Sequence, residues 1–309
     1  MSILADEKTV LLIQGITGRQ GRVVADSVKK YCNNLAAGVS PGKGGQSVSG
    51  VPVYNTVKEA LDEHPDINMS LIIVPPKGVM SSASEAIEAR IPTVVIVTEF
   101  VPVHDALRII DFARDNGVRI IGPNTIGIIS PGKAKVGGMP VQIYGKGHIG
   151  VISRSGTLTH ECSSNLTFAG FGESTCVGIG GDPIIGSDHS DILKLFRDDD
   201  DTKLVVMVGE IGGSSEELAA EYIKQSQYPK PVIAYIAGSQ APEGKKMGHA
   251  GAIVSGNTGT AKSKREALMS AGVMVADTLG EVVELVKRVN AELGGALETV
   301  EPLDKPEFT

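Results

Sequence analysis

The sequence predicts an α/β protein with two doubly wound, mostly parallel sheets, one in each half of the chain. Short apolar runs, typical of strands buried on both faces, alternate with helix-period segments throughout the 309 residues. The chain has 38 glycines, 4% aromatic residues and no tryptophan. This composition is typical of sheets packed by Val, Ile and Ala and joined by tight glycine turns. Strand–helix alternation predicts parallel strands with helices on both faces.

The first half begins with a strand and adds four more. The predicted strands are residues 10–14, 34–39, 70–74, 93–97 and 119–121. Thr56 and Glu59 have capping-box spacing and predict the start of a helix. A later helix is predicted to end at an Asn-Gly pair, residues 116–117. One face of that helix carries Val103, Leu107, Ile110 and Arg114.

The second half repeats this alternation after a break at residues 145–147, GKG. Its predicted strands are residues 148–153, 174–179, 203–208, 231–237 and 273–276. Ser214 with Glu217, and Thr278 with Glu281, have capping-box spacing and predict the starts of two helices.

Composition also sets the expected domain boundaries. We expect a Rossmann-like domain over residues 1–126 and a glycine- and proline-rich linker over residues 127–144. A second, flavodoxin-like domain is expected over residues 145–292. The acidic segment 293–309 contains two prolines and is expected to be a mobile tail.

Charge and cysteine content argue against several classes of protein. The net charge is −7 and no basic run is present, so we expect no nucleic-acid partner. The three cysteines lack metal-binding spacing, so we expect reduced thiols and no metal site. The N-terminus has no export signal, and no apolar run reaches the roughly 18–20 residues that span a bilayer. The sequence therefore predicts a soluble, cytoplasmic protein with no membrane partner.

A glycine-rich loop follows the first predicted strand. Residues 15–21, GITGRQG, stand where backbone N–H groups and a helix N-terminus can face a phosphate. A dinucleotide site usually places an acid at the end of the second strand, about 20 residues on. Here that strand is followed by Lys43 and no acid. A cation suits a phosphorylated ribose or a pyrophosphate, so the pattern favours coenzyme A or NADP over NAD. The alternative is that Lys43 is a solvated turn residue.

Four further loops follow predicted strands of the second half. They are residues 153–157 (SRSGT), 178–183 (GIGGDP), 209–213 (GEIGG) and 248–251 (GHAG). Ligands of open α/β sheets bind outside the carboxyl ends of the strands. We therefore expect Ser155, Gly180, Glu210 and His249 at one edge of one sheet. A histidine between small residues there is accessible for proton transfer or nucleophilic catalysis.

These motifs, taken in order, resemble the α subunit of succinate–CoA ligase (succinyl-CoA synthetase) over about residues 2–289. The segments that carry the resemblance are residues 15–21, 98–99, 121–124, 153–159, 178–183, 209–213 and 248–251. Several such segments in one order are far more specific than any single motif.

The resemblance implies a coenzyme A-binding first domain and a second domain with a transiently phosphorylated histidine. By position, His249 is the phosphorylated residue and Glu210 is the carboxylate that orients it. Ser155, Gly156 and Thr157 are expected to hold the phosphohistidine. The implied coenzyme A contacts are Thr17, Gly18, Arg19, Gln20, Lys43, Val97, Thr98 and Glu99.

The resemblance also implies a partner. In this family ATP or GTP, with Mg, binds to a separate ATP-grasp β subunit. The chain is therefore expected to act in an α–β heterodimer or heterotetramer, on an organic acid and coenzyme A.

The chain departs from the family pattern at a few positions. Thr125-Ile126 replaces a common Cys-Pro, and Asn257 replaces a usual glycine. His160 stands where the family usually has a tyrosine beside the organic-acid pocket. His160 is therefore a candidate substrate-binding residue, and the identity of the acid stays open.

Four alternatives to a succinate ligase remain at this point. Two lie within the same chemistry: a citrate–CoA ligase small subunit and a malate–CoA ligase α subunit. An NADP-dependent oxidoreductase would explain Lys43 and the first glycine loop, but not the loops of the second half. A coenzyme A-sensing module without chemistry would leave His249 and Glu210 with no role.

Overall fold

The structure is a computed structural model in which residues 2–32, 34–240, 249, 251–252 and 259–297 are described. Its contacts divide the chain into two units. The first unit comprises Leu4–Met139 and Ile179–Ser187. The second comprises the described parts of Met1–Ile3, Pro140–Gly178 and Asp188–Thr309.

The first unit contains a parallel sheet with one short antiparallel edge strand. Its strands are β1 (Leu11–Gln14), β2 (Leu35–Val39), β3 (Ser47–Val48), β4 (Val51–Tyr54), β5 (Met69–Ile72), β6 (Thr93–Ile96) and β7 (Arg119–Ile121). The order is β3-β4-β2-β1-β5-β6-β7, and β3 is the antiparallel strand. Each central strand is buried on both faces, as its continuous apolar sequence predicts. The predicted α/β fold class is therefore confirmed in this half.

Four helices flank this sheet: α1 (Arg19–Tyr31), α2 (Val57–Glu63), α3 (Pro76–Glu88) and α4 (Val103–Asp115). Thr56 is the N-cap of α2, because its Oγ1 accepts the Glu59 N–H at 3.1 Å. The return bond differs from the predicted capping box: Glu59 Oε2 accepts from the N–H of Asn55, at 2.8 Å. The carboxylate thus reaches one residue further back than expected.

Helix α4 buries a different face from the one that its larger apolar residues mark. Ala106, Ile109 and Ala113 are buried, whereas Val103 and Leu107 are 51% and 43% exposed. Two of the three buried residues are alanines, which allow α4 to pack closely on the core, and this packing turns Val103 and Leu107 outward. The helix ends at Asp115, next to the predicted Asn-Gly pair.

The expected linker at residues 127–144 is an ordered part of the structure. It contains an antiparallel hairpin of β8 (Gly127–Ser130) and β9 (Ala134–Gly137), and the short 3-10 helix Val141–Ile143. The hairpin belongs to the first unit, where Ser130 Oγ donates to the carbonyl of Ala5 at 2.7 Å. Glycines in this segment therefore serve close backbone packing rather than linker flexibility. Gly127 has φ +107° and lies against the carbonyl of Val136.

The second unit contains a parallel sheet of β10 (Lys146–Ser153), β11 (Glu173–Gly178), β12 (Leu204–Glu210), β13 (Val232–Ala237) and β14 (Met274–Ala276). These strands lie in the order β14-β13-β12-β10-β11. The flanking helices are α5 (Gly156–Phe168), α6 (His189–Arg197), α7 (Ser215–Gln225), α8 (Ala261–Ser270) and α9 (Leu279–Glu292). The predicted doubly wound pattern is confirmed here as well.

Of the two helix caps predicted in this unit, one is present and the other is absent. Thr278 caps α9 through the N–H of Glu281, at 3.1 Å. Ser214 precedes α7, but its side chain makes no capping hydrogen bond. Glu217 instead turns to Lys264, whose Nζ is 3.1 Å from Glu217 Oε2.

The segment after α9 does not begin as a free tail. The N–H of Leu297 donates to Asn290 Oδ1 at 2.9 Å, and Leu297 is fully buried. The rest of the expected tail, residues 298–309, and Asn257 lie outside the described residues. Among the described helices, none is long and apolar enough to cross a bilayer.

A buried carboxyl group stands at the start of β11. Glu173 is fully buried, and burial raises its pKa well above the ordinary value, although the Ser163 hydroxyl and nearby backbone groups act in the opposite direction. The folded chain therefore keeps this proton at a pH where the unfolded chain has released it. Stability from this group is full below the unfolded pKa and falls as the pH rises toward the folded pKa.

Glu173→Gln should therefore remove a pH-dependent loss of stability. We expect the variant to match the parent near pH 4 and to unfold at higher urea concentration at pH 8. The parent should lose up to about 1.4 kcal/mol per pH unit from this group. Urea unfolding across that pH range measures the difference, with Glu161→Gln, an exposed site on α5, as the control. Parallel pH profiles for Glu173→Gln and the parent would contradict the assignment.

Candidate functional site

The glycine-rich loop joins β1 to α1 in the first unit. Gly15 has φ +86°, and a side chain there would meet the carbonyl of Ile73. Gly18 is the N-cap of α1 and offers no side-chain cap, so the helix N-terminus presents backbone N–H groups. Thr17 Oγ1 donates to Ser40 Oγ at 2.9 Å, which ties the loop to the end of β2. This arrangement suits an anionic group placed against backbone.

A pocket of about 390 Å³ lies beside this loop. Three of the expected coenzyme A contacts, Arg19, Gln20 and Val97, line it. The remaining lining residues are Val23, Val24, Ile73 and Gly138. Sequence reasoning missed these four, because no motif of the sequence includes them; one of them, Val23 on α1, is 65% exposed in the structure.

The other expected contacts of the first unit lie outside that lining. Lys43 is exposed in the turn after β2, where its N–H donates to the carbonyl of Ser40 at 3.0 Å. Thr98 Oγ1 donates to the carbonyl of Val74 at 2.7 Å, which secures the end of β6. Glu99 follows it and is exposed. Arg19, Gln20 and Val97 thus line one pocket. Lys43, Thr98 and Glu99 lie outside its lining.

In the second unit, β10 and β12 are parallel neighbours, so the residues after both strands lie at one edge of the sheet. Ser153 is in register with Val208. Ser155 follows β10 and is the N-cap of α5, because its Oγ accepts the N–H of Leu158 at 3.3 Å. Gly156 and Thr157 form the first turn of α5. The Ser155 hydroxyl is therefore already engaged with the helix, and the N-terminal turn is the part that suits an anion.

At the same edge, Glu210 ends β12 and contacts His249. Glu210 Oε2 lies 2.7 Å from His249 Nδ1, and Glu210 is 6% exposed. A carboxylate accepts only, so the imidazole proton is on Nδ1 and the in-plane lone pair is on Nε2. The predicted pair of catalytic residues is therefore in direct contact, and the geometry directs nucleophilic reactivity to Nε2.

Several buried charges surround Glu210. Arg154 Nε is 3.6 Å from Glu210 Oε1. The N–H of Glu210 donates to Glu216 Oε1 at 3.1 Å, and Glu216 forms an ion pair with Lys264. Burial acts to raise the pKa of Glu216, but the nearby His189, Lys264 and Arg154 hold it below its ordinary value. Sequence reasoning missed this group, because Glu216 and Lys264 lie far apart in the chain.

His160 lies on α5, one turn after its start. Its Nδ1 is 2.7 Å from the hydroxyl of Tyr144. Burial lowers the pKa of His160 and raises that of Tyr144, so a neutral phenol and a neutral imidazole share this hydrogen bond. When the phenol donates to Nδ1, the ring carries its own proton on Nε2. His160 is thus suited to donate a neutral hydrogen bond, rather than to present a positive charge.

The loop at residues 178–183 begins at the same edge of the sheet, because Gly178 is in register with Ser153. After Gly178 the chain joins the first unit, where the N–H of Gly181 donates to the carbonyl of Asn124 at 3.1 Å. Asn124 Nδ2 also donates to Asp182 Oδ1, at 3.0 Å. Gly180, at φ +106°, lies against the carbonyl of Pro123. Gly180 is therefore a packing residue of the first unit, whereas Ser155, Glu210 and His249 belong to the second.

Comparisons with known proteins match each half of the chain to a family model. A CoA-binding domain model matches residues 6–100, and a CoA-ligase model matches residues 152–274. A succinate–CoA ligase [ADP-forming] subunit alpha 2 of Archaeoglobus fulgidus is 52% identical over 94% of this chain and 100% of its own length. The corresponding subunit alpha of Aquifex aeolicus is 48% identical over 94% of this chain and 95% of its own length.

The chain belongs to the succinate–CoA ligase α-subunit family. A solved ATP citrate lyase of Methanothrix soehngenii shares its fold, with a TM-score of 0.85 and 24% identity over 99% of this chain. This chain spans 53% of that longer protein. The family membership makes the first unit a coenzyme A-binding domain and the enzyme class an acid–CoA ligase.

The glycine-rich loop between β1 and α1 depends on a helical glycine at its exit. A side chain at Gly21 would lie 2.3 Å from the carbonyl oxygen of Gly15, which is backbone and cannot rotate away. Gly21→Ala should therefore distort the loop, lower stability by about 1–3 kcal/mol and weaken coenzyme A binding. Calorimetric titration with coenzyme A and thermal unfolding measure both effects.

Gly78→Ala is the matched control, because Gly78 is also helical, in α3, and has its nearest neighbour 3.5 Å from an added Cβ. We expect this control to bind normally and to gain up to about 1 kcal/mol of stability from helix propensity. Normal coenzyme A affinity in Gly21→Ala would show that the loop tolerates the displacement.

Proposed function

We propose that this chain is the α subunit of a nucleoside-diphosphate-forming succinate–CoA ligase that acts through a phosphohistidine at His249. The observation that carries the proposal is the 2.7 Å contact between His249 Nδ1 and the buried carboxylate of Glu210. The names of the relatives favour succinate as the acid and ATP as the nucleotide.

In the proposed first step, His249 Nε2 attacks the terminal phosphorus of the nucleotide. The bond from phosphorus to the bridging oxygen breaks, and the nucleoside diphosphate leaves with that electron pair. The imidazole gains positive charge as the P–N bond forms. Glu210 stabilises this charge through Nδ1–H and keeps the ring in one orientation.

In the second step, a carboxylate oxygen of the acid attacks the phosphorus and the P–N bond breaks. The electron pair returns to Nε2, which restores the starting tautomer. The resulting acyl phosphate is attacked at its acyl carbon by the thiolate of coenzyme A, and phosphate leaves. Ser155, Gly156 and Thr157 would hold the phosphoryl group at the N-terminus of α5, where backbone N–H groups favour an anion.

The nucleotide is proposed to come from a partner. The two matched models describe coenzyme A binding and CoA ligation, so nucleotide binding is assigned to an ATP-grasp β subunit that carries ATP or GTP with Mg. An α–β heterodimer or heterotetramer follows. The NADP oxidoreductase and the coenzyme A-sensing module are not favoured by these relatives, and neither uses the Glu210–His249 pair.

The covalent intermediate provides the main test. With the partner subunit and nucleotide labelled in its terminal phosphate, the chain should gain one acid-labile, base-stable phosphate. His249→Asn should gain none. Glu210→Gln should slow labelling about ten- to a hundredfold, because a charge-assisted hydrogen bond is lost, while coenzyme A affinity stays unchanged. Labelling of His249→Asn at the parent rate would refute the assignment.

Lys43 is proposed to contact the ribose phosphate of coenzyme A. Lys43→Ala should raise the coenzyme A dissociation constant about two- to fivefold and reduce its salt dependence, since one exposed charge pair is removed. Dephospho-coenzyme A should show a smaller effect of the same mutation. Lys30→Ala, an exposed lysine of α1, is the control. If Lys43→Ala and Lys30→Ala bind both ligands alike, Lys43 is a solvated turn residue.

His160 is proposed to contact the organic acid. The neutral ring held by Tyr144 offers a hydrogen-bond donor at Nε2, which a hydroxylated acid can use. His160→Tyr should shift the ratio of kcat/KM values toward succinate over malate and citrate, by about three- to tenfold. His104→Tyr, at an exposed site of the first unit, controls for the substitution itself. Unchanged ratios in His160→Tyr would exclude a role in choosing the acid.

A further inference from the structure

The carboxylate that contacts His249 is held by a second, fully buried ion pair. Glu216 lies in the first turn of α7 and Lys264 lies near the start of α8, and both are 0% exposed. Their charged atoms are in direct contact. Lys264 Nζ also contacts Glu217 Oε2, at 3.1 Å. This pair adds no contact to the proposed ligands, so the ligase chemistry by itself leaves it without a role.

Glu216 acts on Glu210 through the backbone. Its Oε1 accepts the N–H of Glu210 at 3.1 Å, and Oε2 is the oxygen that contacts Lys264. The packing is close, because a side chain at Gly209 would lie 2.6 Å from Glu216 Oε1. The last residues of β12 are therefore fixed against the side chain of Glu216, immediately before the carboxylate that bonds His249.

The same two helices are also joined near their N-termini. The loop between β12 and α7 is joined to the start of α8, since the N–H of Gly212 donates to the carbonyl of Gly259 at 2.8 Å. The buried pair joins these helices at their first turns. His189 is also buried nearby, with Nδ1 2.8 Å from Ser215 Oγ, and Lys264 is the cation in direct contact with Glu216.

We propose that Glu216 and Lys264 are positioning residues that hold Glu210 in register with His249 Nδ1. The proposal rests on the phosphohistidine function above. Lys264 keeps Glu216 charged and oriented with Oε1 toward the Glu210 N–H. Glu216 in turn fixes the end of β12, and with it the carboxylate that sets the His249 tautomer.

The test is the double variant Glu216→Gln/Lys264→Met in the full chain. It keeps the side-chain volumes and leaves no buried charge without a counter-ion, since Glu217 is partly exposed; the fold should persist. A neutral amide then replaces the charged acceptor, and no lysine fixes its orientation. We expect phosphorylation of His249 to slow about five- to tenfold while coenzyme A affinity is unchanged.

A second readout does not depend on activity. In chain labelled with nitrogen-15 at histidine, the Nδ1–H signal of His249, assigned with His249→Asn, should weaken and exchange faster with water in the double variant. A pair that merely stabilised the fold would leave this signal in place. If the parent takes up no phosphate, the proposed function fails, and the Nδ1–H signal still tests the positioning role.

The matched control is Lys262→Met/Glu266→Gln, the same chemical change at an exposed pair on α8, with 84% and 61% side-chain exposure. It should behave as the parent. A folded double variant with the parent's Nδ1–H signal and phosphorylation rate overturns the proposal, as does equal slowing in the control. If the double variant does not fold, Glu216→Gln alone decides in the same way, because Lys264 keeps Glu217 as its partner at 3.1 Å.

Discussion

The structure of the second unit depends on a buried negative charge at the end of β12. Glu210 is almost wholly removed from water, so burial of its carboxylate has to be offset by hydrogen bonds and nearby counter-charges. His249 supplies a hydrogen bond and Arg154 supplies a nearby cation. Arg154 follows β10, and Glu210 is the last residue of β12. Because these two strands are adjacent and parallel, both residues lie at one edge of the sheet. The doubly wound topology therefore brings the ionised groups together before any substrate binds.

The two units offer different chemical groups to a ligand. The first unit presents backbone at the start of α1 and an adjacent pocket lined mainly by apolar side chains, which suits a large ligand with a phosphate and an uncharged arm. The second unit places ionisable side chains in a buried setting, where each charge has a strong effect on its neighbours. Phosphoryl transfer needs buried ionisable side chains, as in the second unit. Binding of a large ligand with a phosphate and an uncharged arm needs backbone N–H groups beside an apolar pocket, as in the first unit.

Much of this architecture could be predicted from sequence, because strands buried on both faces are recorded as continuous apolar runs. Glu210 and His249 were also predictable, since they follow strands in glycine-rich motifs. Glycines at 127 and 137 marked the expected linker, and they allow two hairpin strands to approach closely; the boundary between the two units, at residues 139–140, lies within that segment. The differences from expectation have physical causes. In α4 the row of Val103 and Leu107 suggested one apolar face, but the buried face is the one that carries Ala106, Ile109 and Ala113. The Glu216–Lys264 pair spans 48 residues of sequence, and no local pattern reports it.

Charge balance explains why so many ionisable groups are buried around one histidine. Arg154 and Lys264 are two cationic residues, and Glu210 and Glu216 are two acidic ones. Each of these four residues is at most 6% exposed to solvent. Transfer of a phosphoryl group to Nε2 adds negative charge outside the ring and positive charge within it. A carboxylate that accepts a hydrogen bond from Nδ1–H stabilises the positive charge of the ring. It can do so only while the carboxylate does not turn toward a closer cation. Lys264 is paired with Glu216 and Glu217, so those carboxylates balance its charge, while Glu210 contacts His249 through Oε2 and Arg154 through Oε1.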